Sequence, residues 1–191
     1  MSNQRPAKIA FIGSHGVGKT TLVYGLASRL KALDVSLEVV VEVARRCPLP
    51  INEETSLAAQ SWILHTQIAD ETLAAARYPV VVCDRSVLDN FVYMLLAAGP
   101  QPAAEAFLHH WLPTYDLMIH VPILESEVRA DGVRSTDRNF QSVVEERLMQ
   151  ELRQRDLPFF SLEGEDRDDW ARQAEEMALS RVLPNQLRLL P

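Results

Sequence analysis

Lysine is nearly missing from this chain. Only Lys8, Lys19 and Lys31 occur among 191 residues, and every other basic side chain is an arginine. The 26 acidic residues outnumber the 19 basic ones, leaving a net charge of −7. A protein that grips nucleic acid through its general field leans the other way, so no nucleic-acid partner is expected. Cysteine is scarce too, with only Cys47 and Cys83. Two distant cysteines cannot build a metal site alone, and without a secretory signature they point to a reduced compartment. No apolar run approaches the roughly 18 residues that span a bilayer. The opening segment, Met1 to Lys8, is polar and has no signal-peptide core. A soluble, cytoplasmic protein with no membrane partner is expected. Internal repeats and low-complexity linkers are also missing.

What is present is ordinary globular material, 47% hydrophobic and 24% charged. That composition excludes disorder over most of the chain. The length suits one domain over residues 1–191, with a core that needs no staples. Lys8 to Ile12 is a short apolar run that predicts a buried strand. Leu22, Leu26, Leu30 and Leu33 recur at helical spacing, predicting a helix from Lys19 to Leu33. Leu37 to Val41 predicts a second strand ending at Glu42. After the prolines at 48 and 50, Thr55 or Ser56 is a cap for a long helix to about Arg77. Val80 to Cys83 predicts a third strand ending at Asp84, and a helix follows to about Ala98. A shorter helix ends near Leu112, and Leu117 to Val121 predicts a fourth strand. Val144, Leu148 and Leu152 mark a further helix, Phe159 to Leu162 a fifth strand, and Asp168 to Val182 a last helix. The order βαβαβααβαβα, with short apolar strands, predicts an α/β fold with a parallel sheet covered on both faces.

The first strand runs into Gly13-Ser14-His15-Gly16-Val17-Gly18-Lys19-Thr20, which matches G-x-x-x-x-G-K-[ST]. A strand enters and a helix leaves, as a phosphate-binding loop requires. Glycine at 13 and 18 permits backbone angles and close approach that a Cβ would block. The loop amides and the helix N-terminus then serve one anion. Lys19 is expected to be an exposed residue that gives charge to the β- and γ-phosphates, and Thr20 to give a hydroxyl to Mg²⁺. Thr21 completes the candidate nucleotide-binding set. Chance alone would produce such a match roughly once in a hundred chains of this size.

In an open α/β sheet, ligands sit beyond the carboxyl ends of the strands. Gly13, Glu42 and Asp84 stand there. Asp84 closes a Walker-B-like run, where it holds Mg²⁺ or orients an acceptor hydroxyl, or else caps the next helix. Glu42 can take a proton or grip a sugar hydroxyl. Alternatively it is a solvated partner of Arg45. Arg85 can reach a phosphate as a bidentate donor, or form a surface ion pair. Glu42, Arg45, Asp84 and Asp89 are the candidates for touching an acceptor. Further on, Arg129, Arg134 and Arg138 lie within ten residues of a polar stretch spanning about 125–139. Such a segment could form a lid that brings charge to a transferring phosphoryl group and excludes water. Leu57, Trp62, Ile63, Leu64 and Ile68 read as core or pocket wall, and His109-His110 as surface.

Four pieces carry a resemblance: Gly13 to Thr21, Glu42-Val43-Ala44-Arg45, Asp84-Arg85-Ser86-Val87-Leu88-Asp89 and Asp131-Gly132-Val133-Arg134. Together they resemble the P-loop kinases of nucleosides and nucleotides, and more closely the NadR-type, ribosylnicotinamide-kinase-like ATPase domains. The resemblance implies a three-layer P-loop NTPase fold with a parallel sheet in the order 2-3-1-4-5 and a small lid. It implies ATP and Mg²⁺ as cofactors and a small-molecule acceptor. It places Lys19, Glu42, Asp84, Arg85 and Arg134 in catalysis, Thr20 and Asp84 on the metal, and Arg129 and Arg138 on phosphates. An ATP-dependent kinase acting on a nucleoside-, nucleotide- or riboside-like acceptor is the leading expectation. The alternative is a regulatory P-loop ATPase or switch acting on a protein. The chain has no Asn-Lys-x-Asp for guanine and no Leu-Ser-Gly-Gly-Gln of an ABC ATPase.

Overall fold

The computed structural model describes residues 5–51, 55–124, 138–164 and 166–182. Five strands form one parallel sheet in the order β2-β3-β1-β4-β5. The strands are β1 (Ala7–Ile12), β2 (Leu37–Val40), β3 (Val80–Asp84), β4 (Leu117–His120) and β5 (Phe160–Ser161). The helices are α1 (Lys19–Ala32), α2 (Leu57–Ala75), α3 (Val87–Ala98), α4 (Pro102–Trp111), α5 (Arg138–Gln154) and α6 (Arg167–Val182). Element order and strand order agree with the reading of the sequence.

Side chains alternate across a strand, and both faces here are apolar. Ile9 and Phe11 of β1 and Val80 and Val82 of β3 pack with Leu26 and Leu30 of α1 and Trp170 and Ala174 of α6. Ala10, Ile12, Val81 and Cys83 pack the other way, against Leu64, Phe91, Val92, Val144 and Leu148 from α2, α3 and α5. The result is helix, sheet, helix. Strand ends differ from expectation by a residue or two. β2 stops at Val40 rather than Val41, where its ladder with β3 ends at Cys83. The chain then turns through Glu42 into a 3₁₀ turn, Val43–Arg46. β5 keeps only Phe160 and Ser161, because a sheet edge offers one partner.

The register delivers the site. β1 and β3 pair with Phe11 opposite Asp84, so the loop after β1 and the turn after β3 leave the sheet side by side. Below them lies a buried polar knot on Glu71 of α2, which is fully buried. Its carboxylate accepts from Gln67 Nε2 at 2.9 Å, Tyr115 Oη at 2.7 Å, Lys8 Nζ at 2.9 Å and Trp111 Nε1 at 2.9 Å. Each carboxylate oxygen takes two donors, which is what makes a buried charge tolerable. Glu71→Ala strands the Lys8 ammonium, and a cost of about 3–5 kcal/mol is expected. The double variant Lys8→Met, Glu71→Leu should recover only the share of that loss due to Lys8 in urea titrations, because Gln67, Tyr115 and Trp111 still lack their acceptor. Equal destabilisation of the two variants would show that the ion pair is not what matters there.

Candidate active site

Gly13 begins the loop with φ +139°, and a Cβ there would lie 2.5 Å from the Val121 carbonyl oxygen. The chain leaving β4 therefore passes too close for any residue but glycine. Gly18, at φ +93°, precedes α1, and a Cβ on it would collide with the Arg167 guanidinium. Arg167 Nη1 also donates to the Val17 carbonyl at 3.1 Å. Val17 turns its side chain into the core beside α1 and α6. Gly16 is partly exposed, and Thr21 is exposed on the first turn of α1.

Lys19 corrects the expectation of an exposed side chain, being only 2% exposed. Its ammonium folds back on the loop and donates to the carbonyls of Gly13 at 2.8 Å and Ser14 at 2.5 Å. Burial, and then the nearby Arg85 charge, push its pKa down to about 7, against the pull of Asp89, Asp84 and Glu42. Ser14 and His15 also differ from a simple phosphate cradle. Ser14 gives its hydroxyl to the Gln141 carbonyl at 2.9 Å and its amide to Glu145 Oε2 at 3.3 Å. His15 Nδ1 lies 3.0 Å from Tyr93 Oη, and its ring packs near Phe140. The start of α5 thus clasps the front of the loop.

Thr20 and Asp84 do come together. The threonine hydroxyl donates to Asp84 Oδ2 at 2.5 Å. Asp84 Oδ1 is buried with no partner among the described residues. A buried carboxylate oxygen without a donor has the chemistry of a hard-cation ligand, and a hydroxyl beside it fits Mg²⁺. The capping alternative for Asp84 fails. Ser86 caps α3, and Asp89 completes a capping box with it.

Asp89 has both oxygens engaged. Oδ1 accepts the Gly13 amide at 2.9 Å, and Oδ2 accepts the amide and hydroxyl of Ser86 at 2.9 and 2.7 Å. That arrangement makes it a tie between loop and helix. Glu42 is buried, with Oε1 receiving Arg85 Nε at 2.8 Å and Oε2 receiving Arg45 Nε at 2.9 Å. The Arg45 pairing is real, but the carboxylate is not solvated. Nor is Arg85 a surface residue, at 4% exposed. Burial opposes its charge, and Tyr93, Glu42 and Asp89 outweigh that and hold its pKa above the ordinary value. Its backbone is left-handed, φ +87°, which is uncommon for a residue with a Cβ. Gln67 Nε2 steadies it by donating to the Arg85 carbonyl at 3.2 Å. Arg129 and Arg134 lie outside the described residues, and of Arg138 only its place at the start of α5 is described.

Beside the loop these groups border a pocket whose walls include His15, Glu42, Arg85, Asn90, Tyr93 and Ile63. Sequence patterns do not single out Asn90, Tyr93, Gln60, Gln67 or Glu71. Asn90 leaves one signal: Asp89-Asn90 interrupts an otherwise apolar helix, Val87–Ala98. Gln60, Gln67 and Glu71 fall on one face of α2, but such spacing reads equally well as a solvated face.

A family model described as "AAA domain" matches residues 8–172. The chain belongs to that AAA-domain family. Its fold is that of P-loop NTPases. A solved structure of NadR protein in complex with NAD and AMP-PNP superposes with a TM-score of 0.67 at 18% identity. The match covers 93% of this chain and 49% of that one, so the chain spans about half its length. Thymidylate kinase from Candida albicans superposes with a TM-score of 0.62 at 17% identity, covering 92% of each chain. Comparison with curated proteins finds no match. Among the described residues no helix is long and apolar enough to cross a membrane.

The lowered Lys19 pKa has a measurable sign. In the fold Lys19 holds its proton only below about pH 7, whereas in the unfolded chain it holds it up to about 10.5. The unfolded state therefore binds more protons between those values, and Lys19 makes stability rise with pH there. Without nucleotide, wild type should gain melting temperature between pH 7 and pH 9 relative to Lys19→Met. Phosphate favours the charged amine, so ATP binding at pH 8.5 should take up a proton, read as a buffer-dependent calorimetric heat. Heats that do not depend on the buffer would show that Lys19 is already charged.

Proposed function

We propose that this protein is an ATP-dependent kinase that transfers the γ-phosphoryl group of ATP to a small nucleoside-, nucleotide- or riboside-like acceptor. One observation carries the reading. The phosphate loop stands beside a pocket into which a buried carboxylate, Glu42, projects between two guanidiniums. A switch that signals to a protein partner has no need for such a pocket. Both superposed structures named above support the reading at the level of fold.

In this reading the loop from Gly13 to Thr20 holds the donor phosphates, with Lys19 leaving its carbonyl contacts to serve the β- and γ-oxygens. Thr20 and Asp84 are the residues that would hold Mg²⁺, which when bound supplies positive charge to the phosphoryl oxygens. Glu42 accepts a hydrogen bond from the acceptor hydroxyl and then its proton, as the acceptor oxygen bonds to the γ-phosphorus and the bond to ADP breaks. Where the attacking oxygen belongs to a phosphate, no proton moves and Glu42 only orients the acceptor. Arg85, kept charged by its neighbours, balances negative charge between the two ligands. Phosphoryl transfer needs little covalent help from the protein, so position and charge carry it.

The test is a panel of nucleosides, nucleotides and ribosides incubated with labelled ATP and Mg²⁺. Label in a small-molecule product is expected. Lys19→Ala should abolish transfer. Glu42→Gln should keep ATP affinity and lower transfer to a hydroxyl by about 10²–10⁴-fold. It should also melt earlier, because Arg85 loses its buried counter-charge. Release of inorganic phosphate with every compound, and label in none of them, would refute the kinase reading.

A further inference from the structure

The first turn of α3 carries a buried polar side chain, Asn90, that calls for an explanation. Asn90 is 3% exposed, yet its Nδ2 has no hydrogen-bond partner among the described residues. Neither does Nη1 of Arg85, a residue 4% exposed. Both side chains line the pocket beside Glu42. Buried donors are almost always satisfied, and each exception calls for an explanation. The helix does not supply one, because Ser86 and Asp89 already cap it. An apolar residue of similar size would suit both helix and wall better than asparagine.

The surroundings narrow the chemistry. Arg85 Nε is spent on Glu42, and Nη1 is left 4.0 Å from Asp89 Oδ1, beyond hydrogen-bond reach. The charged side chains of the pocket wall are Glu42, Arg45 and Arg85, two cations to one anion. Ile51, Ile63 and Tyr93 supply apolar surface around them. Two N–H donors with no hydrogen-bond acceptor among the described residues, one of them on a guanidinium, suit an oxygen-rich anion. We infer that Asn90 is a specificity-determining residue, which with Arg85 cradles an oxyanion of the acceptor, either a phosphomonoester or a carboxylate. The inference rests on the reading of this pocket as the acceptor site.

The test uses binding, so that it stands apart from transfer. The donor loop is first saturated with Mg²⁺ and a non-hydrolysable ATP analogue. Nucleoside 5′-monophosphates, their parent nucleosides and orotidine, a nucleoside with a ring carboxylate, are then titrated calorimetrically into wild type, Asn90→Leu and Asn90→Asp. At least one oxyanion-bearing compound should bind wild type tenfold or more tighter than a neutral nucleoside. A response to monophosphates assigns the phosphomonoester, and a response to orotidine the carboxylate. Asn90→Leu should lose tenfold or more of that affinity, with binding of the ATP analogue unchanged and the melting temperature equal or higher. Asn90→Asp, which sets a negative charge in the cradle, should lose more. The inference is overturned if neutral nucleosides bind as well as the anions, if no anion binds, or if Asn90→Leu retains the affinity. An Asn90→Leu protein that melts several degrees lower and also loses the ATP analogue would mark Asn90 as structural. Failure of the kinase reading looks different: the analogue itself does not bind wild type, or anions bind and no label is ever transferred.

Discussion

One carboxylate sets the distance between the two halves of the site. Asp89 receives the Gly13 amide on one oxygen and Ser86 on the other, all inside 3 Å and out of solvent. The sheet brings β1 and β3 to the same edge, but its ladder ends with Phe11 opposite Asp84. Beyond that point the phosphate loop and the Asp84-Arg85 turn are separate loops. Asp89 joins them again two residues later. Lys19, Asp84 and Arg85 therefore share one rigid frame, and small errors of position are what catalytic geometry tolerates least.

Polar satisfaction is distributed unevenly. Glu71, beneath the site, has four donors on two oxygens. Tyr115, one of those donors, itself accepts the Val87 amide at 2.9 Å, and Gln67, another, holds the Arg85 carbonyl. The knot thus grips both sides of the Arg85 turn. It has strain to resist, since a left-handed non-glycine residue costs about 1–3 kcal/mol and persists only where its surroundings over-determine it. One layer higher, Asp84 Oδ1, Arg85 Nη1 and Asn90 Nδ2 have no partners among the described residues. Gln67 Oε1, in the knot itself, also lacks a partner among the described residues, so what marks the strand ends is the clustering of three such atoms around one turn, which stability alone does not explain.

Much of this architecture is legible in the order of residues alone. Short apolar runs and helical spacing encode the layers, because burial on both faces leaves a plain compositional trace. The phosphate loop is legible because its glycines answer to sterics that no other residue meets, as the Val121 carbonyl against Gly13 shows. Glu42, Asp84 and Arg85 stand out because strand ends converge. The side-chain environment of Lys19 does not. Whether an ammonium points outward or folds onto its own loop depends on carbonyl positions that sequence does not encode. Asp89 stands out as a polar residue at the right place, but its partner does not, since a capping box and a ligand contact use the same residue type there. Gln67, Glu71 and Asn90 stay hidden for a related reason: a polar residue on a helix reads as solvated until the opposite wall is known.

The phosphate loop and the pocket beside it are electrically joined. Arg85 is the strongest charged influence lowering the Lys19 pKa, and burial is the only larger cause. Arg85 is also the cation that Glu42 and the pocket share. An anion placed against Arg85 offsets its field at Lys19 and favours the ammonium over the amine. A phosphate placed against Lys19 draws on the same balance from the other side. The protonation of Lys19 is thereby tied to the charge that stands beside Arg85. No moving part is required for this coupling. It follows from burying one lysine and one arginine in a single low-dielectric frame with three carboxylates, and from tying that frame together at Asp89.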